Sequence, residues 1–93
     1  MLFVMIGRDG PEGKSLRPGL RPAHLEHLAG YRDKGHIVMA GPFTDGAGSM
    51  IVVNFESIAE AEAMAAADPY SKGGVFASME IHPFLRVIPA EVA

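Results

Sequence analysis

The feature that most constrains this chain is the alternation of short apolar runs with segments of helical spacing. Leu2–Ile6 is a continuous run of strand-forming residues that glycine and proline close on its C-terminal side, so it predicts the first strand. His36–Ala40 and Met50–Phe55 predict the second and third strands for the same reason. Val75–Ile81 alternates, with Phe76 on its more polar face, and predicts a fourth strand.

The segment Pro22–Lys34 predicts the first helix. Its apolar residues recur at helical spacing, proline suits a first helical turn, and Gly35 is a typical stop signal. These apolar residues are expected to form one buried stripe: Leu25, Leu28 and Tyr31. The residues between the first strand and Gly19 are expected to form a loop.

The second helix is predicted from its capping signal. Ser57 and Glu60 match a capping box, in which the hydroxyl accepts from the third helical amide and the glutamate reaches back. The alanine-rich segment that follows favours helix. Pro69 ends this helix, because the residue before a proline is pushed away from helical dihedrals.

The order βαββαβ predicts an α+β, ferredoxin-like fold with a four-stranded antiparallel sheet and both helices on one face. The chain has 93 residues, enough for one domain over residues 1–93. Three strands are apolar at nearly every position, which indicates burial on both faces of the sheet. We therefore expect a homodimer formed sheet against sheet, a dimeric α+β barrel, with an apolar tail after Pro83 packed across the partner.

Composition excludes several classes of function. The net charge of −3 is too acidic for a protein whose main task is to neutralise nucleic-acid phosphates. The absence of cysteine removes disulfides, thiolate metal sites and cysteine nucleophiles. The apolar N-terminus meets Arg8 too early for a signal or membrane segment, so we expect a cytoplasmic protein without a membrane partner.

His24 is the first unusual residue, because it shares the predicted apolar stripe of the first helix. An imidazole there needs a partner, and a backbone carbonyl would suffice for a purely structural histidine. His27 lies off the stripe and is expected to be solvated. The pair at i, i+3 lacks the spacing and third ligand of a zinc site, so no metal is expected.

Asp68 is the second unusual residue, since it continues the inward face of the second helix at the end where the helix dipole disfavours an anion. One interpretation is that Asp68 and Pro69 only form a helix-stopping turn. The other uses the packing of both helices on one face, which lets His24 near the start of one helix approach Asp68 at the end of the other. A carboxylate on one ring nitrogen makes the other a general base near neutral pH.

Three further residues are candidates for binding a substrate. Arg17 and Arg21 precede His24 and could bring positive charge to the same helix entrance, where they would hold a carboxylate or phenolate. Taken singly, either residue is more typical of a solvated surface arginine. Tyr70 could close the pocket with an aromatic wall and a hydroxyl.

Several short segments resemble, in order and spacing, the YciI-like (YCII-related) family. They are Arg21-Pro22-Ala23-His24-Leu25, Ala40-Gly41-Pro42, Phe55-Glu56-Ser57, Ala67-Asp68-Pro69-Tyr70, Gly74-Val75-Phe76 and His82-Pro83-Phe84. That family is similar in fold to dimeric α+β barrel proteins such as muconolactone isomerases. The resemblance implies a His–Asp active site, which carries onto His24 and Asp68. One branch of the family is associated with dehydrochlorination of chlorinated hydroxyquinones, although the loop Phe43–Ser49 is shorter here than in the longer members.

The resulting hypothesis is a small enzyme that needs no cofactor. His24 moves a proton, Asp68 orients His24, and Arg17 or Arg21 binds a small anionic metabolite, aromatic or aliphatic. The reaction would be an isomerisation or an elimination. The alternative is a non-catalytic ligand-binding or accessory module of the same dimeric fold, with His24 and Asp68 as a structural pair between helices.

Overall fold

The computed structural model describes residues 1–90, so the last three residues of the predicted domain lie outside the described part. The elements are β1 (Leu2–Asp9), α1 (Gly13–Asp33), β2 (Ile37–Pro42), β3 (Gly48–Asn54), α2 (Ile58–Ala67), α3 (Pro69–Lys72) and β4 (Phe76–Phe84). The strands form one antiparallel sheet in the order β2-β3-β1-β4. The predicted α+β class and four-stranded antiparallel sheet are confirmed.

One face of the sheet carries the core. Alternate residues of the central strands β1 and β3 are buried there against α2 and the second half of α1. The buried members of this cluster are Phe3, Met5, Ile51, Val53, Phe55, Ala61, Met64 and Ala65. Both long helices therefore cover the same face, and the intervening residues of β1 are only half-buried on the other.

The edge strand β2 departs from the prediction that its apolar residues are buried on both faces. Only Ile37 is partly buried, while Val38 and Met39 are 52% and 58% exposed. A register shift in the β2–β3 pairing falls between Ile37 and Met39. Within residues 1–90 no helix combines the length and apolar character needed to cross a bilayer.

The first helix begins nine residues earlier than predicted, at Gly13 instead of Pro22, and the expected loop up to Gly19 is helical. Pro18 and Pro22 lie inside the helix, where each removes one backbone hydrogen bond. Both prolines are exposed, so water can bind the freed carbonyls. Packing on the other side supplies the compensation, because Leu16 and Leu20 contact a second core cluster of Tyr70, Val75 and Phe76.

Phe76 lies on the helix-covered face, which corrects its predicted place among the polar residues of the fourth strand. The pairing of β1 with β4 shifts register between Arg8 and Asp9, so that Phe76 pairs with Asp9 while Ser78 pairs with Arg8. This bulge reverses the alternation at the start of β4. Phe76 is 8% exposed and completes the second core cluster.

Candidate active site

His24 and Asp68 form a buried hydrogen-bonded pair. His24 Nδ1 lies 2.7 Å from Asp68 Oδ1, and the two residues are 7% and 2% exposed. His24 stands in the middle of α1, not near its start as the sequence suggested, because the helix begins at Gly13. The partner of His24 is therefore a carboxylate and not the backbone carbonyl that a purely structural histidine would need.

Asp68 occupies the junction of two helices. Pro69 ends α2 as predicted, and Asp68 takes an extended conformation with φ −64° and ψ 127°. The same Asp68 Oδ1 accepts a second hydrogen bond from Tyr70 N at 2.9 Å and so caps α3, a helix that the sequence did not predict. Asp68 is thus more than a helix-stopping residue, since one oxygen joins α1 to α3.

Tyr70 covers the imidazole. Its ring is stacked on His24 with centroids 3.7 Å apart and planes only 4° from parallel. This contact and the Asp68 hydrogen bond fix both the plane and the rotation of the imidazole. Among residues 1–90 the only buried side-chain polar atom without a hydrogen-bond partner is Ser71 Oγ, so the unpartnered His24 Nε2 reaches solvent.

Arg17 is held by an ion pair that the sequence did not predict. Its Nε and Nη2 each donate to a carboxylate oxygen of Asp9 at 2.8 Å, and Nη2 also donates to Ser49 Oγ at 3.0 Å. The hydrogen bonds to Asp9 raise the pKa of Arg17 and outweigh its burial, which lowers it. The guanidinium also lies 5.0 Å from the centroid of Tyr70, so the clamp adjoins the His24 stack.

Asp9 and Ser49 were not among the predicted site residues, but the alternation of residues along their strands could have identified them. Asp9 continues the alternation of Phe3, Met5 and Gly7 on the helix-covered face, and Ser49 precedes Ile51 and Val53 in the same way. Gly13 makes room for the carboxylate, because a Cβ there would lie 2.8 Å from Asp9 Oδ2. The prediction that β1 ends at Ile6 concealed this arrangement.

We expect Asp9→Asn to lower the free energy of unfolding by about 1–3 kcal/mol, because it leaves a partly buried guanidinium without its counter-charge. The side chain of Arg17 is 22% exposed in this ion pair. Asp33→Asn is the matched control, since Asp33 pairs with Arg32 at the surface with both side chains 69% exposed. That control should change stability by less than about 1 kcal/mol in urea unfolding. Equal stability losses in the two variants would contradict a special role for Asp9.

A cleft of about 1100 Å³ runs along α1 beside these groups. It lies between α1, the end of β2, the loop to β3 and the start of β3. The cleft is lined by Asp9, Lys14, Arg17, Pro18, Arg21, His24, Leu25, Leu28, Ala40, Gly41, Pro42, Phe43, Thr44, Asp45, Gly46, Gly48, Ser49, Ile51 and Tyr70. The structure therefore brings four predicted site residues to one cleft, and Asp68 lies directly behind it.

Two predictions about the first helix need correction. Leu25 is 48% exposed and lines the cleft instead of the core, while Leu28 and Tyr31 do pack on the core. His27 is only partly exposed, and its Nε2 donates to the Met64 carbonyl at 2.9 Å. On this helix, the histidine that a backbone carbonyl satisfies is thus His27 and not His24.

Comparison with known proteins finds a matching family, relatives similar over nearly the whole chain and a solved structure of similar fold. The family model described as the YCII-related domain matches residues 1–85. Protein YciI of Escherichia coli O6:H1 and Protein YciI of Shigella flexneri are each 36% identical over 97 residues, which covers 94% of this chain and 99% of each relative. The fold also matches the solved structure of 5-chloro-2-hydroxyhydroquinone dehydrochlorinase (TftG) from Burkholderia phenoliruptrix in complex with 2,5-dihydroxybenzoquinone. That match has a TM-score of 0.85 and 26% identity, and it covers 98% of this chain and 100% of the other.

Proposed function

Because the chain belongs to the family of the YCII-related domain, we propose that it is a small enzyme whose His24–Asp68 pair performs acid–base chemistry on a small anionic ligand. The observation that carries this proposal is the 2.7 Å contact between His24 Nδ1 and Asp68 Oδ1, with Nε2 left free beside the cleft. The dehydrochlorinase of the same fold supports an enzyme that acts on small molecules.

The chemistry follows from the tautomer. Asp68 accepts the hydrogen bond of the Nδ1–H of His24, so the lone pair is on Nε2 of a residue that lines the cleft. When Nε2 removes a proton from a bound ligand, the resulting imidazolium lies between the Asp68 carboxylate and the Tyr70 ring face. Both contacts favour the charged ring, the carboxylate by charge and the ring by its quadrupole.

Two reactions use such a base. In an isomerisation, Nε2 takes a proton from one carbon and returns it to another. In an elimination, the electrons of the broken C–H bond form a double bond as chloride leaves, and the proton stays on Nε2 until solvent removes it. The fold match to a dehydrochlorinase favours the elimination.

The test is turnover of a panel of chlorinated and chlorine-free hydroxyhydroquinones, with chloride release and proton exchange as readouts. We expect His24→Gln to lower turnover of the best substrate by about 10²- to 10⁴-fold, the usual contribution of a positioned general base. His36→Gln is the control, because His36 is not one of the residues that line the cleft and its Nδ1 donates to the Asn54 carbonyl at 2.9 Å. Turnover that survives both His24→Gln and Asp68→Asn would exclude this mechanism.

A homodimer is part of the same proposal. The sheet face away from the helices carries half-buried apolar side chains, and residues 84–90 are exposed. The chain exposes 6000 Å², against roughly 5,200 Å² for a compact monomer of its mass. A second copy packed on this face would remove the excess apolar surface from water.

A further inference from the structure

The cationic residues of the cleft divide into one that is already neutralised and two that are not. Arg17 commits three of its five N–H donors to Asp9 and Ser49, and the Asp9 carboxylate balances its charge. An anionic ligand at Arg17 would also face that carboxylate. Lys14 and Arg21 line the same cleft, and neither has an ion-pair partner among residues 1–90.

Asp45, the other acidic residue of the cleft, reduces the positive surplus but does not remove it. Asp45 lies on the loop between β2 and β3, where its Oδ1 accepts from Ala47 N at 2.9 Å within its own turn. Apart from His24, the lining carries the positive charges of Lys14, Arg17 and Arg21 against the negative charges of Asp9 and Asp45, a surplus of one positive charge. The surplus positive charge therefore belongs to the segment of α1 that holds Lys14 and Arg21.

The lining of the cleft changes from charged to apolar along α1. Lys14 and Arg21 are seven residues apart and so lie within about 20° on the same helix face, and His24 follows Arg21 by roughly 4.5 Å along the axis. Helical side chains lean toward the N-terminus, so the Arg21 guanidinium leans toward Lys14 and away from His24. Beyond His24 the lining of the same groove becomes apolar, with Leu25 and Leu28 on the helix.

The part of β3 that lines the cleft shows the same change from polar to apolar residues. Ser49 lies beside the Arg17 clamp, and Ile51, two residues further along β3, belongs to the core cluster on which Leu28 packs. Both residues line the cleft. One end of the groove is thus cationic, the opposite end is apolar, and the free nitrogen of His24 lies between them.

We propose that this cleft selects an elongated amphiphilic carboxylate, whose anionic group lies between Lys14 and Arg21 and whose apolar body lies against Leu25, Leu28 and Ile51. Lys14 and Arg21 are the specificity-determining residues, and Arg17 with Asp9 and Ser49 is a structural clamp that shapes the wall. This inference rests on the proposed function in one respect, the role of His24. The central atoms of the bound ligand would lie beside His24 Nε2.

Binding of two matched probes tests the inference without any turnover. 2-Naphthoate and 2-naphthamide share the aromatic body and differ in charge, and their affinities follow from amide shifts in ¹H–¹⁵N NMR titrations. We expect wild type to bind the carboxylate about tenfold more tightly at low ionic strength, as two exposed ion pairs of ordinary strength give. High salt should reduce this preference.

Three variants separate the two ends of the cleft. Lys14→Gln/Arg21→Gln should bring the two probes to equal affinity, with the amide unaffected. Leu25→Gln should weaken both probes by a similar factor of about three, because it removes apolar contact and no charge. Arg32→Gln/Lys34→Gln changes net charge equally outside the cleft lining and should keep the tenfold preference.

Three results would overturn the inference. The first is a preference for the carboxylate that persists in Lys14→Gln/Arg21→Gln. The second is a loss of that preference in Arg32→Gln/Lys34→Gln as large as in Lys14→Gln/Arg21→Gln. The third is failure of the carboxylate to bind wild type at millimolar concentrations. These outcomes are independent of the proposed reaction. Inactivity toward every compound of the turnover panel would count against catalysis and leave the measured probe affinities as they are.

Discussion

Asp68→Asn is expected to lower turnover by about 10²- to 10⁴-fold while the free energy of unfolding stays within about 1 kcal/mol of wild type. An asparagine oxygen can still accept from His24 Nδ1 and from Tyr70 N, the two hydrogen bonds that Asp68 Oδ1 holds at 2.7 and 2.9 Å. What the variant loses is the negative charge that favours an imidazolium. Steady-state kinetics on the best panel substrate and urea unfolding on the same preparation measure both effects.

Asp68→Ala is the matched comparison, because it removes the hydrogen bonds as well as the charge. It leaves the buried His24 N–H without an acceptor and α3 without its cap, so we expect a loss of about 2–4 kcal/mol in unfolding free energy. The decisive result is that Asp68→Asn loses turnover but keeps its free energy of unfolding, whereas Asp68→Ala loses unfolding free energy as well. If Asp68→Asn kept full turnover, or if both variants were equally unstable, the pair would be structural and the accessory-module alternative would stand.

Val4→Lys is expected to convert a homodimer into a monomer. Val4 lies on β1 in the centre of the sheet, on the face away from the helices, between Val52 of β3 and His82 of β4. At about 800 Å² per subunit, burial of apolar surface contributes roughly 20 kcal/mol for each subunit before the costs of association, and an unpaired ammonium at the centre of the interface opposes that burial. Sedimentation equilibrium of wild type and variant at micromolar concentration measures the difference.

The tail gives a second readout of the same association. Leu85, Val87 and Ile88 are 79%, 67% and 90% exposed in a single chain. If they pack across a partner, proteolysis of the tail should be slow in wild type and fast in Val4→Lys. Ile58→Lys is the control, because Ile58 is an exposed apolar residue on α2 and not on the open sheet face. A wild type that sediments at 9.9 kDa with a protease-sensitive tail would refute the dimer.

Local signals in the sequence were sufficient wherever neighbouring residues decide the structure. The capping box at Ser57 and Glu60 forms as predicted, and α2 ends at Ala67 because Pro69 follows. The apolar runs predicted four strands, and their order along the chain gave the topology of the sheet. The approach of His24 to Asp68 followed from that topology, since two helices on one face bring those residues together.

The sequence was misleading wherever long-range packing outweighs local preference. Pro18 and Pro22 argue against helix, yet α1 continues through both because Leu16 and Leu20 are anchored on the second core cluster. Leu25 has the spacing of a core residue but is 48% exposed and lines the cleft together with the end of β2.

By itself, the sequence determined the strands and the second helix, because hydrophobic period, capping and proline act over a few residues. It marked His24 and Asp68 as candidates for one pair but left open a separate structural role for each. Only the tertiary structure decided which charges are free. Asp9 and Arg17 are eight residues apart, and their pairing depends on the length of β1, the early start of α1 and the space left by Gly13. Two charges neutralise each other only when they lie close together in space. Spacing along the chain therefore could not show that Arg17 is paired with Asp9 in the wall of the cleft, while Arg21 lines the cleft without an ion-pair partner among residues 1–90.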